Sequence, residues 1–109
     1  MAVTNVVTRR GKQQFNGLFD EIWAVSYNES ANIAPTTQTN VLSSVTVPGA
    51  KIGDVVIGVS LSVTQNGVTV SGYVSAANTV VIEYSNNTGS TVTLVTPRVC
   101  FVVARPNFV

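Results

Sequence analysis

The feature that most constrains the fold is a strict alternation of side chains between Val55 and Val63. Every odd-numbered residue is a large aliphatic one, whereas the even-numbered residues include two serines and a glycine (Val55, Ile57, Val59, Leu61 and Val63 against Val56, Gly58, Ser60 and Ser62). A period of two is typical of a β-strand with one buried face, because successive side chains point to opposite sides of a sheet. The alternation therefore predicts a strand whose odd-numbered residues face the core.

The same pattern continues toward the C-terminus and is interrupted by short turns. Asn66-Gly67 follows the first strand, and both residues tolerate the positive φ of a tight hairpin turn. Two further alternating runs follow, in which Val68, Val70 and Val74, and then Val80, Ile82 and Tyr84, occupy one face. A turn at 86–89 precedes a last apolar run at 91–104. The whole stretch from 54 to 105 is predicted to be a β-meander.

The chain as a whole is predicted to be all-β. Its 109 residues suffice for one domain with one modest core. Another strand is predicted at 41–47, ended by Pro48-Gly49, after a polar loop that contains Pro35. Six or seven short strands, with no helical periodicity, indicate a single-domain β-sandwich, jelly-roll-like or immunoglobulin-like. The cysteine pair around a tryptophan that marks antibody domains is missing.

The first 20 residues differ from the rest. They hold half of the basic side chains, at Arg9, Arg10 and Lys12. We predict that residues 1–20 are an extended N-terminal arm or a peripheral strand and that residues 21–109 are the sandwich. A frayed terminus is the plain alternative. In the functional alternative the arm orders on a partner, where its cations meet acidic groups.

Aromatic and aliphatic residues cluster around the end of the arm, at Phe15, Leu18, Phe19, Ile22 and Trp23. The spacing of residues 15, 18, 19 and 22 suits a short helix, although a strand over 20–27 fits equally. They either cap the core or form a docking anchor, as aromatic side chains often do in interfaces. Phe108 lies in a short C-terminal tail that can dock on a neighbour. These three aromatics, Phe108 and the three cations are the predicted protein-contact residues.

The inventory of reactive side chains argues against an enzyme. The chain has no histidine, which excludes Ser-His-Asp and Cys-His arrangements and imidazole metal ligands. Its single cysteine, Cys100, excludes a structural zinc site of the Cys₄ or Cys₂His₂ kind and is predicted to be a buried small hydrophobe. We therefore expect no catalytic residue, no metal and no cofactor.

Charge and hydropathy limit the classes of partner that we expect this protein to bind. The formal net charge of +1 gives no electrostatic footprint for nucleic acid. No apolar run approaches the roughly 20 residues that span a bilayer, and the N-terminus lacks an apolar signal segment, so we expect synthesis in the cytoplasm and no membrane contact. A surface rich in Thr, Ser and Asn with so little charge is poorly protected against self-association.

From Gly53 onward the chain resembles a known group of proteins. Gly-Asp-Val-Val at 53–56, Val-Ser-Ala-Ala-Asn-Thr-Val at 74–80 and Asn-Asn-Thr-Gly-Ser at 86–90 are similar to the strands and turns of a module in small structural proteins of tailed bacteriophages. The resemblance covers about the last 55 residues. It implies a compact β-sandwich that serves as a capsid decoration (cement) protein or as part of a head or tail appendage.

The resemblance leads to the expected function. We expect a virion structural protein on the capsid surface, a homotrimer that binds the major capsid protein. The alternative is a small tail or head appendage whose outer sheet face binds a host receptor or glycan through exposed Tyr73 and Tyr84.

Overall fold

The computed structural model describes residues 3–11, 18–36 and 40–106. The strands are β1 (Val3–Gly11), β2 (Phe19–Glu29), β3 (Val41–Thr46), β4 (Val55–Leu61), β5 (Val68–Ala76), β6 (Thr79–Asn86) and β7 (Arg98–Pro106). They form a four-stranded sheet of order β1-β2-β7-β4 and a three-stranded sheet of order β3-β6-β5. All of these strand pairs are antiparallel.

The predicted all-β sandwich is confirmed. Both sheets contribute to one core, which contains Trp23 and Phe101 from the four-stranded sheet and Val45, Ile82 and Tyr84 from the three-stranded sheet. In the constant-type immunoglobulin sandwich the fifth strand pairs in the first sheet and the seventh in the second. Here these two strands have exchanged sheets, because β7 lies between β2 and β4 while β5 pairs with β6.

The predicted meander is wrong in its pairing. Asn66 and Gly67 do adopt positive φ values of 52° and 87°, as a tight turn requires. However, β4 and β5 lie in different sheets, so this turn carries the chain from one sheet to the other. The hairpin lies one connection later, where β5 and β6 pair around Ala77 and Asn78. Turn residues specify a reversal of the chain, but they do not specify which strand becomes the partner.

The predicted buried face of β4 is also wrong in its first half. Gly58 is an extra residue opposite β7, with a φ of 64°, and the pairing register shifts between Ile57 and Ser60. This β-bulge reverses the side-chain phase. Val59, Leu61 and Val63 face the core, whereas Val55 and Ile57 are on the outer face, 40% and 46% exposed.

The N-terminal segment is part of the sheet over its described length. Val3–Gly11 pairs with β2 and forms an edge of the four-stranded sheet. Residues 20–27, for which helix and strand were equally compatible, belong to β2. The edge strand carries its own bulge at Asn5, which has a φ of 53° where the register shifts between Thr4 and Val7.

Close packing between β4 and β5 depends on a glycine. An added Cβ at Gly72 would lie 2.9 Å from Cγ1 of Val56 and 3.0 Å from Cδ1 of Ile82. These distances are too short for a side chain at that position. Gly72 therefore lets β4 approach the three-stranded sheet even though no ladder joins them.

Candidate interaction surface

The two predicted arginine contacts point in different directions. Arg9 pairs with Ala24 and is exposed on the outer side of the four-stranded sheet. Arg10 pairs with Trp23 and turns toward the sandwich, where it forms an ion pair with Glu21. Of the two, Arg9 is the one that lies on the outer side of the sheet.

Trp23 was predicted to be either a core residue or a docking anchor, and it is a core residue. It is 1% exposed, and its Nε1 donates to the carbonyl of Pro48 at 3.1 Å. The guanidinium carbons of Arg10 and Arg105 lie 5.1 and 5.4 Å from its ring centroid, within cation–π range. The tryptophan thus joins the ends of β1, β2 and β7 to the loop after β3.

Arg105 completes this end of the sandwich. It donates two hydrogen bonds to the carboxylate of Asp54, at 2.9 and 3.0 Å, and a third to the carbonyl of Gly49 at 2.9 Å. The hydrogen bonds to Asp54 raise the pKa of Arg105, so its charge is secure. Asp54 also accepts from the backbone N–H of Lys51 at 2.9 Å. These polar groups satisfy one another and serve the fold.

The remaining predicted contact residues divide into two groups. Phe19 is half-buried at the start of β2, opposite Pro106. Lys12, Phe15 and Phe108 lie outside the described residues.

The opposite end of the core contains a buried carboxylate. Glu29 is 2% exposed, and its Oε2 accepts hydrogen bonds from the hydroxyls of Ser43 at 2.6 Å, Tyr84 at 2.9 Å and Tyr27 at 3.4 Å. The two tyrosine oxygens lie 3.3 Å apart. Burial is the main cause that raises the pKa of both tyrosines above the ordinary value of 10.0. The cluster bridges the two sheets with neutral phenols around one carboxylate.

The burial of Tyr84 corrects one prediction. The glycan-binding alternative required both Tyr73 and Tyr84 to be exposed on an outer sheet face, but Tyr84 is fully buried while Tyr73 is 47% exposed. The two tyrosines lie on opposite faces of the three-stranded sheet, because Tyr84 pairs with Val70 whereas Tyr73 pairs with Val81. A stacking platform made of both rings does not exist.

Among the described residues, no other element packs on the outer side of the four-stranded sheet. Register and alternation place the following side chains on it: Val7 and Arg9 from β1; Ile22, Ala24 and Ser26 from β2; Cys100, Val102 and Ala104 from β7; Val55, Ile57 and Ser60 from β4. We call this surface the apolar face. Arg9 is the charged side chain of this set and lies on the edge strand. The exposed large aliphatic groups of this surface are Val7 on β1 and Val55 and Ile57 on β4, so they flank the central strands β2 and β7.

Small side chains form a groove across the apolar face. The groove has a volume of about 330 Å³, and Ala24, Ser26, Gly58, Ser60 and Cys100 are among its lining residues. Cys100 is exposed, so its predicted burial is wrong. It lies in an apolar run, but the core residues of that run are its neighbours Val99 and Phe101.

The outer side of the three-stranded sheet has a different character. It presents Ser44, Thr46, Thr69, Ser71 and Glu83, which alternate with core residues. Leu42 and Tyr73 are its large exposed groups. This side is suited to water, whereas the apolar face is not.

The part of the chain that the structure describes contains no cluster of three His, Cys, Asp or Glu side chains that could hold a metal ion. The same residues include no helix long and apolar enough to cross a membrane.

Comparison with known proteins adds no relative. No protein-family profile, no curated protein and no solved structure matches this chain.

Proposed function

We propose that this protein is a non-enzymatic structural protein that decorates and stabilises the capsid shell of a tailed bacteriophage. The observation that carries the proposal is the contrast between its two outer surfaces, one polar and one apolar. Large exposed apolar patches on soluble proteins mark interaction sites. The strand and turn motifs from Gly53 onward support the virion context.

The proposal divides the surface between two tasks. The apolar face joins protomers to each other, because its exposed aliphatic side chains offer area and it carries little charge. Arg9, at its rim, and Lys12, which follows β1 in the sequence, attach the assembly to acidic groups of the major capsid protein. Single contacts of this kind are weak, but repetition over a closed shell gives avidity.

Adhesion to capsid shells tests the proposal. Purified shells that lack the protein are mixed with the wild type and pelleted, and the bound fraction is measured. We expect saturable binding of the wild type and a loss of about tenfold in affinity for Arg9→Glu, since a charge reversal opposes an acidic partner.

Lys51→Glu is the matched control, because Lys51 is an exposed cation on the loop before β4 and is not among the side chains of the apolar face. It should bind as the wild type does. Absence of wild-type binding to the shells would refute the capsid role, and equal losses for Arg9→Glu and Lys51→Glu would refute the role of Arg9.

A further inference from the structure

The edges of the four-stranded sheet are closed to strand addition. Both edge strands, β1 and β4, carry a one-residue bulge, at Asn5 and Gly58. Bulges on edge strands disturb the row of free backbone groups and are a recognised protection against edge-to-edge pairing. Association through this sheet is therefore directed to its face.

The apolar face is built of three rows that cross β2, β7 and β4. The middle row is Ala24–Val102–Ile57, the row on one side is Ser26–Cys100–Ser60, and the row on the other side is Ile22–Ala104–Val55. The second row has small side chains and lines the groove. The third has larger side chains at its two ends, and Ala104 between them is fully buried, so Ile22 and Val55 are the side chains that this row presents. If a second copy is placed face to face with the first and is related to it by a rotation of 180° about an axis along the middle row, the small row of each copy lies opposite the larger row of the other.

The charges beyond these rows follow the same symmetry. Arg98 is exposed at the end of the face next to the small row, opposite Asn28. Asp20 is exposed at the other end, where β2 has one extra residue against β7. The same rotation brings the Arg98 end of each copy to the Asp20 end of the other. Arg98 on β7 of one copy then lies close to Asp20 on the neighbouring strand β2 of the other.

We propose that the apolar face packs against the same face of a second copy of this chain, with the strands antiparallel and a twofold axis at the middle row. The inference deepens the proposed function and rests on its assignment of the apolar face to contacts between protomers. Packed sheets lie about 10 Å apart, which suits aliphatic and small side chains. Arg9 lies at the β1 end of the middle row, opposite Ala24, so this arrangement brings the two Arg9 side chains of a dimer toward each other at the rim, where their length lets them extend apart into solvent.

The area of the face sets the strength of this contact. Four strands about 4.8 Å apart and eight residues with a rise of about 3.3 Å give a face of roughly 500 Å² per copy. A stable interface buries about 800 Å² per partner. The isolated dimer is therefore weak, with a Kd of about 10 µM or above, and becomes populated at the local concentrations of an assembly.

Site-specific cross-linking tests the geometry. Val102→Cys in a Cys100→Ser background places the single thiol on the axis, about 10 Å from its symmetry mate. A short bismaleimide should convert this variant into a covalent dimer. The control is Ser71→Cys in the same background, because Ser71 is exposed on the opposite side of the sandwich; it should remain monomeric. Equal cross-linking of both variants, or a trimer in which the Val102→Cys thiols do not react with each other, overturns the proposal.

Charge reversal tests the pairing of the ends. In sedimentation equilibrium, Arg98→Asp should weaken self-association about tenfold, since each dimer loses two opposite-charge contacts and gains two like-charge ones. Adding Asp20→Arg to it should restore the wild-type constant. Asp20 also acts on the charge of Arg105, so thermal unfolding of each variant confirms that the fold is intact. An unchanged constant for Arg98→Asp, or no rescue in the folded double variant, overturns the antiparallel arrangement.

The two proposals fail separately. Capsid binding without the Val102→Cys cross-link would refute the twofold contact and leave the decoration role standing. A cross-linked dimer that does not bind shells would refute the decoration role alone.

Discussion

At the level of single residues, Glu29 is the core residue whose burial most strictly requires hydrogen-bond partners. Its carboxylate is buried, and three hydroxyl groups from both sheets converge on one of its oxygens. A buried polar group that loses its partner costs about 1–3 kcal/mol, and more if it is charged. Tyr27, Ser43 and Tyr84 are therefore constrained by the chemistry of Glu29 as much as by their volume.

This cluster predicts a loss of stability in alkali. Burial raises the pKa of Tyr27 and Tyr84 above 10.0, so the folded state keeps their protons at a pH where the unfolded chain releases them. The stability they contribute is present below pH 10.0 and falls as the pH rises above it, by about 1.4 kcal/mol per pH unit for each tyrosine. Urea unfolding between neutral and alkaline pH measures this slope.

The phenylalanine variants identify the groups responsible. Tyr84→Phe should halve the slope above pH 10.0 and lower the stability at neutral pH by about 1–3 kcal/mol, because Glu29 loses a donor. Tyr73→Phe is the control, since Tyr73 is half exposed, and should change neutral-pH stability by less than about 0.5 kcal/mol. An undiminished slope in Tyr84→Phe would contradict this assignment.

At the level of elements, the ends of β1 and β7 are held by two arginines in unequal environments. Arg105 pairs with Asp54, whose side chain is nearly inaccessible, whereas the side chain of Arg10 is about half exposed. Loss of one partner from a buried pair leaves the other charge without compensation, whereas exposed pairs contribute little. The two residues should therefore differ in their effect on stability.

We predict that Arg105→Ala lowers the free energy of unfolding by about 3 kcal/mol and Arg10→Ala by about 1 kcal/mol or less. Chemical denaturation followed by the fluorescence of Trp23, which both guanidinium groups contact, measures these changes. A larger effect of Arg10→Ala than of Arg105→Ala would contradict this ranking of the two arginines.

Alternation predicted the existence of most strands but not their phase. Val55 and Ile57 are as apolar as Val59 and Leu61, so hydropathy assigned all four to one buried face. The bulge at Gly58 reverses this assignment for the first two. A glycine in an alternating run signals such a bulge, but its effect depends on which strand lies beside it, and that information is not local.

The candidate surface was missed for the same reason. Its aliphatic residues on β4 had been assigned to the core, and Cys100 was predicted to be buried because its neighbours are apolar. Arg9 was predicted from its place in a basic cluster, and it lies on the edge strand of this surface. Composition predicted a tendency to self-associate but no particular surface, because the location of the apolar face depends on the register of β2, β7 and β4.

At the level of the whole molecule, the two sheets depend on a common core. β7 is an inner strand of the four-stranded sheet, and β6 is the middle strand of the three-stranded sheet. Phe101 and Val103 from β7 and Ile82 and Tyr84 from β6 belong to one core cluster. By contrast, most described side chains of β1 are exposed. Stability should thus be shared between β6 and β7 and lower in β1.

Hydrogen exchange under native conditions measures this distribution. We predict that the slowest amides of β6 and β7 exchange with the same free energy, equal to that of global unfolding, and that β1 exchanges at least about tenfold faster. A difference between β6 and β7 would mean that the sheets unfold separately. Protection of β1 equal to that of β7 would contradict its peripheral role.

The bulges at Asn5 and Gly58 also bear on which mutations this chain tolerates. Both positions have positive φ, so a β-branched substitution that removes the bulge would make an edge strand straighter and more regular. Such a change can leave the isolated molecule as stable as before while opening the edge to polymerisation. Selection at these two sites would then act on solubility at high expression, and their invariance among descendants would not indicate that either residue touches a ligand.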